Sequence, residues 1–203
     1  IVSRVNERNT MINEHVEVHL LIQTPVILCF IVVLPWLFPM LFSNEFMPAL
    51  RMAQLAAFAL LFHIMTYPIS FLPVSKGDVK VFALQESIYN LLFISLVLLG
   101  YSYYGWIGVG AGIVITRALD LLVVYLIAYL RYGFRLSATA SRYFMMSMLY
   151  GLLVLASVLW IDNQLWSGFV GFIAAAFSIV SSIYLLSIHG NLLVRVIRRI
   201  FKR

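Results

Sequence analysis

Apolar residues run along this chain in six long blocks, and polar residues are largely confined to the gaps between them. The blocks cover 20–42, 52–72, 82–99, 108–130, 143–160 and 168–188. Each matches the roughly 18–25 residues that a helix needs to cross a hydrocarbon core of about 30 Å. Lipid offers no partner to a free backbone amide or carbonyl, so each block is predicted to be helical. The expected fold is all-α: a polytopic membrane protein with a six-transmembrane-helix bundle at 19–190. A polar linker or cytoplasmic loop precedes it at 1–18, and a basic tail follows at 191–203.

Charge in the gaps sets an orientation. Lys76 and Lys80 follow the second block, and Arg131, Arg135 and Arg142 follow the fourth. The tail adds Arg195, Arg198, Arg199, Lys202 and Arg203. The alternate gaps hold only Glu45 with Arg51, an uncharged tyrosine stretch, and Asp162. Cations flanking spans stay in the cytoplasm, so both termini are expected there. The composition, 63% hydrophobic and 11% charged, agrees with a multi-pass membrane protein. Most of the net charge of +6 is then topological, and no nucleic-acid partner is expected. The tail from Leu192 to Arg203 reads either as an amphipathic helix on an anionic inner leaflet or as a solvated topogenic segment. Cys29 is the single cysteine, which excludes an intrachain disulfide or a cysteine metal site. Trp36, Tyr101, Tyr103, Tyr104, Trp106, Trp160 and Trp166 cluster at block ends, as interfacial anchors do.

Ionisable residues inside the blocks carry the functional information, because lipid penalises them. Arg117 lies near mid-span in the fourth block, about 15 Å deep at 1.5 Å per residue. Its burial there costs at least ~2.5 kcal/mol. Asp120 at i+3 is within ion-pair reach, and Thr116 extends the same polar stripe. The stripe reads as part of a hydrophilic pathway that contacts an anionic group or couples to an ion; alternatively it is an intrahelical pair that fixes packing. Glu86 and Asn90 share a face of the third block, two turns from its cytoplasmic end. His63 sits mid-way along the second block, either as a proton carrier or as a neutral, hydrogen-bonded core histidine. His15 and His19 are at i, i+4 but lack the His-Glu-x-x-His order and a third ligand, so no metal site is expected.

Small residues describe the packing. Gly108 and Gly112 form a G-x-x-x-G, and Gly168, Gly171, Ala175, Ser178 and Ser182 form a stripe that lets helices approach closely in lipid. Pro25 and Pro68 each remove a backbone hydrogen bond and permit a kink. No enzyme is expected: there is no paired acidic motif, the gaps are short, and the large external loop of sugar polymerases is missing.

Several landmarks taken in order carry a resemblance. They are Asn13-Glu14-His15-Val16-Glu17, the Pro25 segment, Leu41-Phe42-Ser43-Asn44-Glu45-Phe46 and Ser75-Lys76-Gly77-Asp78. Glu86 through Asn90-Leu91-Leu92 and Gly105-x-x-Gly108-x-Gly110-x-Gly112 follow. Together they resemble the C-terminal half of O-antigen translocases, the polysaccharide flippases of the multidrug/oligosaccharidyl-lipid/polysaccharide (MOP) exporter superfamily. The likeness covers roughly residues 5–135; the last two helices match in hydropathy only.

The resemblance implies one lobe of a two-lobe exporter in the bacterial inner membrane, with an N-terminal six-helix lobe upstream. It implies flipping of undecaprenyl-diphosphate-linked oligosaccharide repeat units for O-antigen or surface polysaccharide assembly, by alternating access. No cofactor is implied, with H+ or Na+ as the coupling ion to consider. The partners are the lipid-linked oligosaccharide, the other lobe and membrane lipids. Arg117, with Asp120, Thr116, Glu86, Asn90 and His63, would line the cavity. Two alternatives stand beside this reading: a multidrug/cation antiporter of the same superfamily, and a membrane-embedded enzyme of envelope-glycan assembly.

Overall fold

The computed structural model describes residues 2–161 and 164–188; Asp162 and the basic tail lie outside them. All regular structure among the described residues is helical. In order these are α1 (Val2–Leu41), a 3₁₀ helix (Asn44–Ala49), α2 (Leu50–Ser70), the short α3 (Leu72–Ser75), α4 (Val79–Tyr132), α5 (Ala138–Trp160) and α6 (Gln164–Ile188). Five helices are long and apolar enough to cross a membrane: Glu7–Leu41, Glu45–Ser75, Val79–Tyr132, Ala138–Trp160 and Leu165–Ile188. These are the features of a multi-pass membrane protein.

The third and fourth hydropathy blocks fall within one helix, α4, which is broken at Gly105 (φ 59°, ψ −138°). That backbone conformation is accessible at little cost only to glycine. On a straight helix Gly100 and Gly108 would stand about 12 Å apart. Instead their backbones touch, and a Cβ placed on Gly112 would lie 2.6 Å from the Leu96 carbonyl oxygen. At the far end, Asp78 meets Arg131 at 3.3 Å and accepts a 2.9 Å hydrogen bond from the Tyr132 hydroxyl. The two halves of α4 therefore run antiparallel. The G-x-x-x-G pair is where they meet, because only a missing side chain lets two helix backbones come so close.

α1 is the centre of the bundle, packing on α2, α5 and α6, while α2 separates it from α4. Val16, Leu20, Leu28, Ile31 and Val32 form its buried face. The small-residue stripe of α6 (Gly168, Gly171, Ala175, Ser178, Ser182) is buried throughout, with the Gly171 Cα position close against Val32. The outer surface carries large apolar side chains, including Leu91 at 70% and Met145 at 68% exposure. Lipid suits such a surface and water does not.

The polar residues 2–18, expected as a linker, are helical and continuous with α1. Their hydrogen bonds explain the difference. Arg8 Nη2 donates to Tyr132 O, and Asn9 Nδ2 to Gly133 O, both at 3.1 Å. Asn13 Nδ2 donates to Arg135 O at 3.0 Å while its Oδ1 accepts from Ser137 N at 2.8 Å. Ser137 Oγ then donates to Glu17 Oε1 at 2.7 Å and accepts from Ala140 N, capping α5. The polar face of early α1 thus satisfies the backbone where α4 ends and α5 begins.

Candidate functional site

The fold of α4 back on itself, beside α2, assembles a polar group that no single helix contains. Arg117, on the second half of α4, projects between α2 and the first half. Its guanidinium lies 3.6 Å from Asp120 Oδ2, too long for a hydrogen bond, so the pair is an electrostatic contact only. Nη1 donates to His63 Nδ1 of α2 at 3.3 Å, which requires that nitrogen to be unprotonated. On the opposite side the guanidinium sits 4.4 Å from the centre of the Tyr89 ring, a cation–π contact. The Arg117 side chain stays 23% exposed and that of Asp120 10%. The cation is held from three sides, yet one side remains open.

The other expected members divide. Thr116 is buried, but its hydroxyl donates at 2.7 Å to Gly112 O on its own helix, which makes it a packing residue. Glu86 is exposed and within electrostatic reach of Asp120, across the two halves of α4. Asn90 is exposed and makes no hydrogen bond to the group. Sequence reasoning missed two residues. Tyr89 is the ring beneath Arg117, and Gln85 is 3% exposed with Oε1 buried and unpartnered. Both lie within one turn of Glu86, so its helix face was the signal available in the sequence; their place beside Arg117 follows from the reversal at Gly105.

A cleft of about 570 Å³ opens at the end of the bundle where α1 begins and α2 finishes. Arg8 and Lys76 give it a cationic rim, His15 and His19 line it as well, and Tyr67 and Phe71 form an aromatic wall. His15 and His19, set aside as metal ligands, meet edge to face at 6.2 Å between ring centres. Tyr67 links the cleft to the Arg117 group: its ring contacts His63 at 5.7 Å and Phe71 at 5.0 Å. The arrangement is a basic mouth, an aromatic wall and a cation deep within the apolar span.

The triplet Gly100-Tyr101-Ser102 has the Gly-x-Ser spacing of some serine nucleophiles. Ser102 is exposed, and its hydroxyl donates at 2.8 Å to Leu99 O of its own helix. No histidine contacts it among the described residues, so no base is in place to activate it.

No family model, no curated protein and no solved structure matches this chain.

Proposed function

We propose that the chain is one lobe of a membrane transporter that moves an anionic, lipid-linked oligosaccharide between leaflets. The observation that carries this reading is Arg117, a cation inside an apolar helix whose only ion-pair contact among the described residues is a loose 3.6 Å approach to Asp120. Retaining such a charge is costly unless a wet pathway or an anionic ligand meets it. The basic cleft at the mouth supplies attraction for a diphosphate, and Tyr67 with Phe71 a surface on which sugar rings stack.

Each half of α4, 79–104 and 106–132, is about 40 Å long at 1.5 Å per residue, enough for one crossing. Counted so, there would be six crossings with both ends on one side of the membrane, and the cationic gaps favour the cytoplasm as that side. Together with the resemblance in the first 135 residues, this supports an exporter lobe of the MOP type in a bacterial inner membrane. A second six-helix lobe would complete the cavity. The reading is of a transporter and not of an enzyme.

Asp120 and Glu86, two acidic groups within electrostatic reach of each other, favour a second reading: a cation antiporter of the same superfamily. Reconstitution in liposomes separates the two. Under the first, a fluorescent polyprenyl-diphosphate oligosaccharide becomes accessible to an impermeant quencher in the other leaflet, and Arg117→Ala abolishes this at equal protein incorporation. Under the second, Arg117→Ala leaves cationic-dye transport intact and Asp120→Asn removes it. Lipid-oligosaccharide flipping at the wild-type rate by Arg117→Ala would overturn the role given to Arg117.

A further inference from the structure

We propose that the opposite, aromatic-rich end of the bundle binds a membrane phospholipid through its phosphate, with Arg51 and Gln54 as the donors. This site is remote from the Arg117 group and does not depend on the transport reading.

The charge distribution first singles out Arg51. Arg8, Lys76, Lys80, Arg131, Arg135 and Arg142 all belong to the other end. Among the described residues Arg51 is the one cation at the end that carries Trp36, Tyr104, Trp106, Trp160 and Trp166. It makes no ion pair among those residues, not even with Glu45 at the same end. Its Nη1 donates to Leu159 O at 3.1 Å. A guanidinium has five N–H donors, so most of its capacity is unspent.

Two cavities meet at Arg51. One, of about 200 Å³, lies among α1, α2, α5 and α6 and is lined by Pro35, Val158 and other apolar side chains together with Arg51, Gln54 and Ser167. Gln54 is 1% exposed, and its Nε2 is buried without a hydrogen-bond partner among the described residues. An unpaired buried amide is a costly feature that a bound acceptor would relieve. The second cavity, of about 340 Å³, lies between the 3₁₀ helix and the Gly105 turn, walled by Met47, Pro48, Trp106 and Ile107. The first cavity therefore sets the Gln54 amide and the Ser167 hydroxyl among apolar side chains, the second is largely apolar and aromatic with Tyr104 in its wall, and Arg51 lines both.

A ligand that fits both is acceptor-rich, anionic and amphiphilic. A phosphodiester on a diacylglycerol has that form: its oxygens take the Arg51 and Gln54 donors, and its ester and acyl region lies against Trp106 and Ile107. A free phosphate would use the first cavity and leave the second unused.

Native mass spectrometry of the purified full chain, titrated in detergent with phosphatidylglycerol, tests this. The expected result is one retained lipid, with binding weakened about tenfold by Arg51→Gln and by Gln54→Leu. Arg131→Gln, at the other end, should leave it unchanged. Helicity by circular dichroism and elution volume report folding. Should the buried Gln54→Leu variant misfold, Arg51→Gln at its exposed position carries the test alone. Three results would overturn the proposal: equal phosphatidylglycerol binding by a folded Arg51→Gln variant, displacement of the lipid by millimolar inorganic phosphate, which marks a free-anion site, and equally tight binding of diacylglycerol, which marks apolar docking.

Discussion

Replacing Gly112 with alanine places one methyl group between the two halves of α4. The new Cβ would stand 2.6 Å from Leu96 O, 2.9 Å from Leu96 C and 3.2 Å from Val97 Cα. Ordinary contact begins at 3.4 Å, so the halves must separate locally by about 0.8 Å. Every obstructing atom is backbone, and no rotamer change can relieve the clash. A gap of 0.5–1 Å forfeits roughly a quarter to a half of each dispersion contact along the seam. Overpacking of this kind costs about 1–3 kcal/mol. In lipid, where helices associate through packing and not through water exclusion, little offsets that loss. The same separation draws Tyr89 away from Arg117, so transport should fall along with stability. Reversible unfolding in mixed micelles, followed by circular dichroism, measures the first effect, and the liposome flipping assay the second. Ile115→Ala is the control, since that side chain is 49% exposed on the same helix. Stability of Gly112→Ala within 0.5 kcal/mol of wild type would refute the close packing of the α4 halves.

Three further outcomes are expected. Gly105→Ala should destabilise by about 1–3 kcal/mol, measured in the same micelles, because alanine is strained at a φ of 59° with ψ −138°. Ser137→Ala removes both the α5 cap and the bond to Glu17, and should cost about 1–2 kcal/mol, with Ser137→Thr recovering most of it. The hydrogen bonds from Tyr132 and Arg131 hold the Asp78 carboxyl below its ordinary pKa. Its contribution is therefore present above the unfolded value near ~3.9 and lost as pH falls through the lower folded value. Thermal midpoints of wild type and Asp78→Asn should differ at pH 6 and converge at acid pH; a constant difference would remove Asp78 as the cause.

Helical class, the approximate location of each apolar stretch and the packing face of α6 were all legible in the chain. Each depends on a local rule: lipid admits only helices here, and small residues at 3–4 spacing mark a close contact. Arg117 with Asp120 was legible for the same reason, since i, i+3 neighbours meet on any helix. His63 and Tyr89 could be named or overlooked but not joined to Arg117, because their approach depends on the reversal at Gly105 and on α2 packing against α4. The helical state of residues 2–18 was hidden likewise. Asn13 and Glu17 look like solvated linker residues until Arg135 and Ser137, more than a hundred positions away, are brought to them. Periodicity along one helix reports what faces the same way; which faces meet is decided by packing between segments distant in the chain.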